Sequence, residues 1–133
     1  MARIQHIAIL AQDTEQLAGF YKTAFGMSEA QRLPGDSGRW RIFLTDGHIN
    51  LAILPCRAGQ QEGLNHFGFN VDDVKQTAET AQKAGAQAGA EMVPQDGRGN
   101  EGFIKDPVGQ RVDLSAQGWP IAPVKEGAAA TAR

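Results

Sequence analysis

Hydrophobic and polar positions along this chain follow the same plan twice. Residues 3–10 are rich in Ile and Leu and short enough for a strand. Asp13 stands where a helix N-cap belongs, and Gln16 three positions on suits a capping box. Leu17, Phe20, Tyr21, Ala24 and Phe25 recur at i, i+3, i+4, i+7 and i+8, which predicts a helix turning these residues to a core. Gly26 is its expected stop, where a left-handed residue costs least. A weak strand over 27–33, a turn at Pro34-Gly35-Asp36-Ser37-Gly38 and a strand over 39–44 follow. Asp46-Gly47 then makes a hairpin turn into a strand over 48–54.

The second plan opens with a strand over 64–71, a cap at Asp72-Asp73 and a helix to about Ala84, stopped by Gly85. Val74, Ala78 and Ala81 form its small apolar face. Strands near 88–93 and 101–105 come next. Asp106-Pro107-Val108-Gly109 has the composition of a type I turn and leads into a last strand over 110–115. The Gly97–Gly102 run reads as a flexible loop; it lacks the strand-turn-helix context of a phosphate cradle.

The two plans match residue by residue. Ile-Gln-His-Ile-Ala-Ile-Leu-Ala-Gln-Asp-Thr-Glu-Gln at 4–16 returns as Leu-Asn-His-Phe-Gly-Phe-Asn-Val-Asp-Asp-Val-Lys-Gln at 64–76, so His6 corresponds to His66 and Asp13 to Asp73. Near the end of each half, Ile49-Asn50-Leu51 corresponds to Val112-Asp113-Leu114. Each half is short for an independent domain, so the reading is one α+β domain over 1–118, built by duplication. Its modules run over about 1–57 and 62–118, and a loose tail over 119–133 follows. Two β-α-β-β-β modules can form a curled mixed sheet around a shared cleft, a good place for a small molecule.

Composition narrows the partners. The 133 residues suffice for one domain with a proper core. A formal net charge of −2 argues against nucleic-acid binding. The longest apolar run, Ile7–Ala11, is far short of a membrane span, and no secretion signal opens the chain. One cysteine, Cys56, cannot form an internal disulfide, which points to a reduced, cytoplasmic location. Cys56 itself receives no role.

Four polar residues occupy strand positions where apolar ones are expected. Side chains alternate across a strand, so His6 shares a face with Ile4 and Ala8, and His66 with Leu64 and Gly68. Asn50 lies with His48 and Ala52, and Asp113 with Arg111 and Ser115. A single strand histidine is most often a hydrogen-bonded core residue. Two at matching positions, with a matching Asn/Asp pair, point instead to a metal site. Two imidazoles and a carboxylate suit Fe2+, Mn2+, Ni2+ or Zn2+ and leave positions open for substrate; Asn50 adds a weak amide oxygen.

With these motifs the chain resembles the vicinal oxygen chelate superfamily, which includes glyoxalase I, bleomycin-resistance proteins, methylmalonyl-CoA epimerase and extradiol dioxygenases. The resemblance rests on His6-Ile-Ala-Ile, Asp13 through Phe25-Gly26-Met27, Leu64-Asn-His-Phe-Gly-Phe-Asn-Val-Asp72, and Asp106-Pro-Val-Gly-Gln-Arg-Val-Asp-Leu114. It implies the paired β-α-β-β-β fold, ligands at His6, Asn50, His66 and Asp113, and a homodimer. Isomerase branches carry Glu or Gln where this chain has Asn50, and most members carry Glu where it has Asp113. Each change shortens the reach by on the order of 1.5 Å.

Three functions follow. Extradiol ring cleavage needs two histidines and a carboxylate on Fe(II), which His6, His66 and Asp113 supply. His48 is the remaining histidine for proton transfer, the alternative being a solvent-facing residue after the turn. Glyoxalase- or epimerase-type isomerisation (lactoylglutathione lyase-like) needs a carboxylate base, so Asp113 would be ligand and base in turn. A bleomycin-resistance-like binding protein would lack the metal set. The order of preference is dioxygenase, isomerase, binding protein. Arg39, Arg41 and Arg111 can hold an anionic substrate group or be solvated. Trp40, Phe43, Phe67 and Phe69 read as core or cleft wall.

Overall fold

The computed structural model describes residues 1–95 and 99–124. The fold is α+β. Its strands are β1 (Arg3–Ala11), β2 (Ser28–Pro34), β3 (Trp40–Thr45), β4 (Asn50–Pro55), β5 (Gly63–Asn70), β6 (Gln87–Gln95), β7 (Gly99–Lys105) and β8 (Arg111–Ser115). The helices are α1 (Thr14–Phe25) and α2 (Val74–Lys83). By hydrogen bonding the strands form one mixed sheet in the order β2-β3-β4-β1-β5-β8-β7-β6.

The chain divides into two compact units whose borders cut through β1 and β5. Among the described residues, one comprises Met1–His6 with His66–Trp119, the other Ile7–Asn65 with the stretch from Pro120 to Val124. The expected modules, cut at about 57 and 62, therefore exchange their first strand segments.

In the unit of residues 7–65, Asp13 caps α1 by accepting the Gln16 amide at 3.0 Å. Gly26 closes the helix with φ 69°, a left-handed conformation that suits glycine. The buried face of α1 is Thr14 and Ala18, with Leu17 and Tyr21 partly buried. This corrects the expected stripe, since Phe20 is 55% and Phe25 69% exposed. The small Ala18 lets the helix approach Ile42, Leu44, Leu51 and Ile53 of the sheet, and the bulky rings fall to the side. There Phe20 meets Tyr21 edge-on at 5.2 Å. β4 starts at Asn50, two residues later than expected, because the Asp46 carboxylate takes the amides of His48 and Ile49 at 2.8 and 2.9 Å.

The other unit repeats the construction. Asp73 caps α2 through the Gln76 amide at 2.9 Å, and the buried Val74 and Ala78 stand where Thr14 and Ala18 stand in α1. They pack on Val71 and Leu114 with Phe69 and Ile104. β5 and β8 run parallel, pairing Gly68 with Asp113, and β7 and β8 antiparallel, pairing Phe103 with Asp113. Gly99–Gly102, expected as loop, belongs to β7; residues 97 and 98 of that run lie outside the described residues.

The tail expected from residue 119 is not loose over its first residues. In the unit of residues 7–65, Asn50 Nδ2 donates to the Pro120 carbonyl at 2.7 Å, Thr45 Oγ1 to the Ile121 carbonyl at 3.0 Å, and the Val124 amide to the Glu29 carbonyl at 3.0 Å. Each satisfies a backbone group that would otherwise need water. Residues 125–133 lie outside the described residues.

Candidate metal centre

Alternation along β5 and β8 sends Phe67, Phe69, Val112 and Leu114 one way and His66, Gly68, Arg111 and Asp113 the other. Of the first set, Phe69 and Leu114 pack with Val74 and Ala78 of α2. From the second set, His66 and Asp113 meet His6 of β1 within the same unit. One nitrogen each from His6 and His66 and one Asp113 oxygen all lie within 4.8 Å of one another. Both histidines are buried and Asp113 is partly so.

The pairwise geometry is close. His66 Nε2 lies 3.2 Å from Asp113 Oδ2. Arg111 Nε donates to Asp113 Oδ1 at 2.8 Å, and its Nη2 lies 3.4 Å from Oδ2. Burial works to raise the Asp113 pKa, but hydrogen bonds from His66 and Arg111, with the charge of Arg111, outweigh it and hold the carboxyl below its ordinary range. It is thus ready as an anion. Asp113 reaches His66 although it is one methylene shorter than glutamate.

The donor set fits a divalent ion. Imidazole nitrogens and one carboxylate oxygen are what Fe2+, Mn2+, Ni2+ and Zn2+ accept. Arg111 reaches both Asp113 oxygens, more closely at Oδ1, while Oδ2 also faces His66.

Two further expected site residues, Asn50 and His48, belong to the unit of residues 7–65. Asn50 is fully buried in the unit of residues 7–65, with its amide nitrogen engaged by Pro120. His48 is in that unit too, exposed on the turn before β4 rather than in the strand. The arginines are committed within the protein. Arg39 donates to the carbonyls of Gln12 and Cys56, Arg41 to that of Pro34, and Arg111 to Asp113 while lying 4.5 Å over the Phe103 ring.

The residue that sequence reasoning missed is Trp119. Its ring stacks on His6 with centroids 4.4 Å apart and planes 10° apart. A large aromatic between glycine and proline, in a stretch otherwise read as tail, was the available signal.

Residues 3–114 match the family model described as the Glyoxalase/Bleomycin resistance protein/Dioxygenase superfamily. Among solved structures the chain is similar to a hypothetical protein from Bacillus halodurans C-125, at 17% identity and TM-score 0.70, covering 96% of this chain and 97% of that one. It is similar to the 2,3-dioxygenase LapB from Pseudomonas sp. KL28, at 20% identity and TM-score 0.68, covering 94% of this chain and 44% of that one. It is also similar to a Streptomyces coelicolor methylmalonyl-CoA epimerase crystallised with 2-nitronate-propionyl-CoA, at 20% identity and TM-score 0.66, covering 91% and 98%. At these identities the likeness is one of fold. A comparison with curated protein sequences gives no match. No helix among the described residues is long and apolar enough to cross a membrane.

Proposed function

This chain belongs to the glyoxalase/bleomycin resistance protein/dioxygenase superfamily, and on that premise we propose that it is a divalent-metal-dependent enzyme acting on a small molecule. The observation that carries the reading is the convergence of His6, His66 and Asp113 in one unit, with donor atoms within 4.8 Å. Two histidines and one carboxylate are the ligand set of non-haem Fe(II) oxygenases, so extradiol-type cleavage of a catechol is the preferred chemistry. Bound Fe(II) supplies open positions and redox capacity for such a reaction. The chain's own residues do the holding. His6 and His66 offer imidazole nitrogens, and hydrogen bonds from His66 and Arg111 hold Asp113 as an anion. His48, in solvent on a turn, has no part in this reading.

A second reading is isomerisation of a substrate whose enolate the ion stabilises. It is favoured by the match along nearly the whole length of the epimerase, whereas the dioxygenase is more than twice as long as the matched part. Asp113, already engaged by His66 and Arg111, is a poor base for it. A homodimer in the cytoplasm, expected from the resemblance and from the single cysteine, belongs to the same proposal and is read by light scattering and fractionation.

Protein purified without chelators should contain about one Fe, Mn, Ni or Zn per site, lost in His66→Ala. Anaerobic Fe(II) loading followed by a catechol and O₂ should give a yellow ring-opened product. Turnover of hemithioacetals or of an acyl-CoA epimer, without catechol cleavage, reverses the order of the two readings. Failure to take up any of the four ions leaves only ligand binding without chemistry.

A further inference from the structure

We infer that Trp119 is a positioning residue of the metal centre, its stacked indole holding the His6 imidazole in the orientation that an ion requires. The inference rests on the metal reading above and extends it to a residue past 114, where the family match ends.

Three local devices place the indole. Ser115 Oγ accepts the Gly118 amide at 2.9 Å, which bends the chain back just after β8. Gly118 has φ +72°, and a Cβ there would collide with Gln5 and Asn70, so this bend requires glycine. The Trp119 amide then donates to Gln5 Oε1 at 2.9 Å. Gln5 directly precedes His6, so one dipeptide of β1 carries both the anchor of the tryptophan and the ligand it stacks on.

The space for the ring is reserved as well. Gly68 lies between His66 and Asn70 along β5, and a Cβ at Gly68 would come within 2.7 Å of the indole. Absence of a side chain there lets the ring lie flat on His6. Trp119 is only 8% exposed in consequence.

The stack acts on a soft torsion. The ring torsion of histidine has broad, roughly two-fold wells, so an unsupported imidazole samples orientations that aim its nitrogens away from an ion. Hydrogen-bonded partners that fix ligand rings commonly contribute 10–100-fold to metal affinity, and a stacked indole restrains the same ring torsion. Among the described residues His6 also has a ring neighbour in His66, tilted at 38° and 5.4 Å away. The parallel face is Trp119.

Trp40 and Trp119 are the two tryptophans, so Trp40→Phe yields a single-tryptophan protein. Co(II), a d-block ion that quenches indole at short range, should quench its fluorescence with a sharp one-to-one endpoint. In the otherwise unsubstituted chain, Trp119→Leu should weaken Co(II) binding about 10-fold in competition with a chromophoric chelator and alter the visible band of bound Co(II). Trp119→Phe, which keeps a flat ring, should restore most of that affinity and the band. Without metal, His6 ring protons should resonate upfield in the unsubstituted protein and lose that shift in Trp119→Leu. If Trp119→Leu does not fold, Gln5→Ala removes the anchor and gives the same comparison. Equal Co(II) affinity and an unchanged band in the leucine variant overturn the positioning role and leave the metal centre standing. No Co(II) uptake by the unsubstituted chain overturns the metal reading and this inference with it.

Discussion

His66 Nε2 and Asp113 Oδ2 stand 3.2 Å apart, while the other Asp113 oxygen is held at 2.8 Å by Arg111. One carboxylate thus faces a candidate ligand through Oδ2 and is held by Arg111 mainly through Oδ1. Asp113→Asn keeps the size and removes the anion. Metal affinity should fall at least about 100-fold, because a neutral amide replaces the only anionic donor. Calorimetric titration with Zn2+ or Co2+ checks this; an unchanged affinity would mean that the carboxylate is not a ligand.

Arg111 should act on the metal without touching it. Arg111→Leu removes the donors that hold Oδ1, and metal affinity should drop about 10-fold. Arg111→Lys, which keeps the charge but loses the fork, should fall between the two. Equal affinities in all three proteins, measured by chelator competition, would confine Arg111 to its packing over Phe103.

Gly68 should not tolerate even a methyl group. In Gly68→Ala the new carbon meets Trp119 within 2.7 Å and Asp113 Cβ at 3.2 Å. Forced repacking of this kind costs about 1–3 kcal/mol. Chemical denaturation should show that loss, and tryptophan emission should shift to the red as the indole is pushed into water.

Glu29 should carry an acid-sensitive part of the stability. Lys22 Nζ lies 2.9 Å from its Oε1, and Arg32 contributes Nε at 3.0 Å and Nη2 at 2.8 Å. The Arg32 hydrogen bonds hold the Glu29 pKa below its ordinary value, against the upward effect of burial and with further help from Lys22. A carboxyl with a lowered folded pKa stabilises the protein above its unfolded pKa, about 4.3 for glutamate, and loses that contribution as pH falls through the folded pKa. Glu29→Gln should therefore cost about 1–2 kcal/mol near pH 7. The difference between the two proteins should shrink steadily below about pH 4. A difference independent of pH would remove the ionic explanation.

The duplicated pattern made most of the secondary structure legible in advance. The Asp13 and Asp73 caps, the Gly26 stop, the positions of both helices and all eight strands follow from local chemistry, because capping, turns and period-two alternation act over a few residues. The matched histidines and Asp113 were legible for the same reason: polar groups in buried strand positions, repeated sixty residues apart, need a common cause. What local patterns could not supply is contact between distant segments. The spacing of α1 predicts a buried stripe that includes Phe20 and Phe25, whereas close packing over Ala18 leaves both rings outside. Three arginines have the same local signature, yet Arg111 alone shares a strand face with Asp113 and clamps it. Trp119 belongs to a stretch without periodicity, and its burial depends on Gln5, 114 positions earlier in the chain, and on an empty place at Gly68. Such pairings are settled by register and volume, which a linear pattern does not encode.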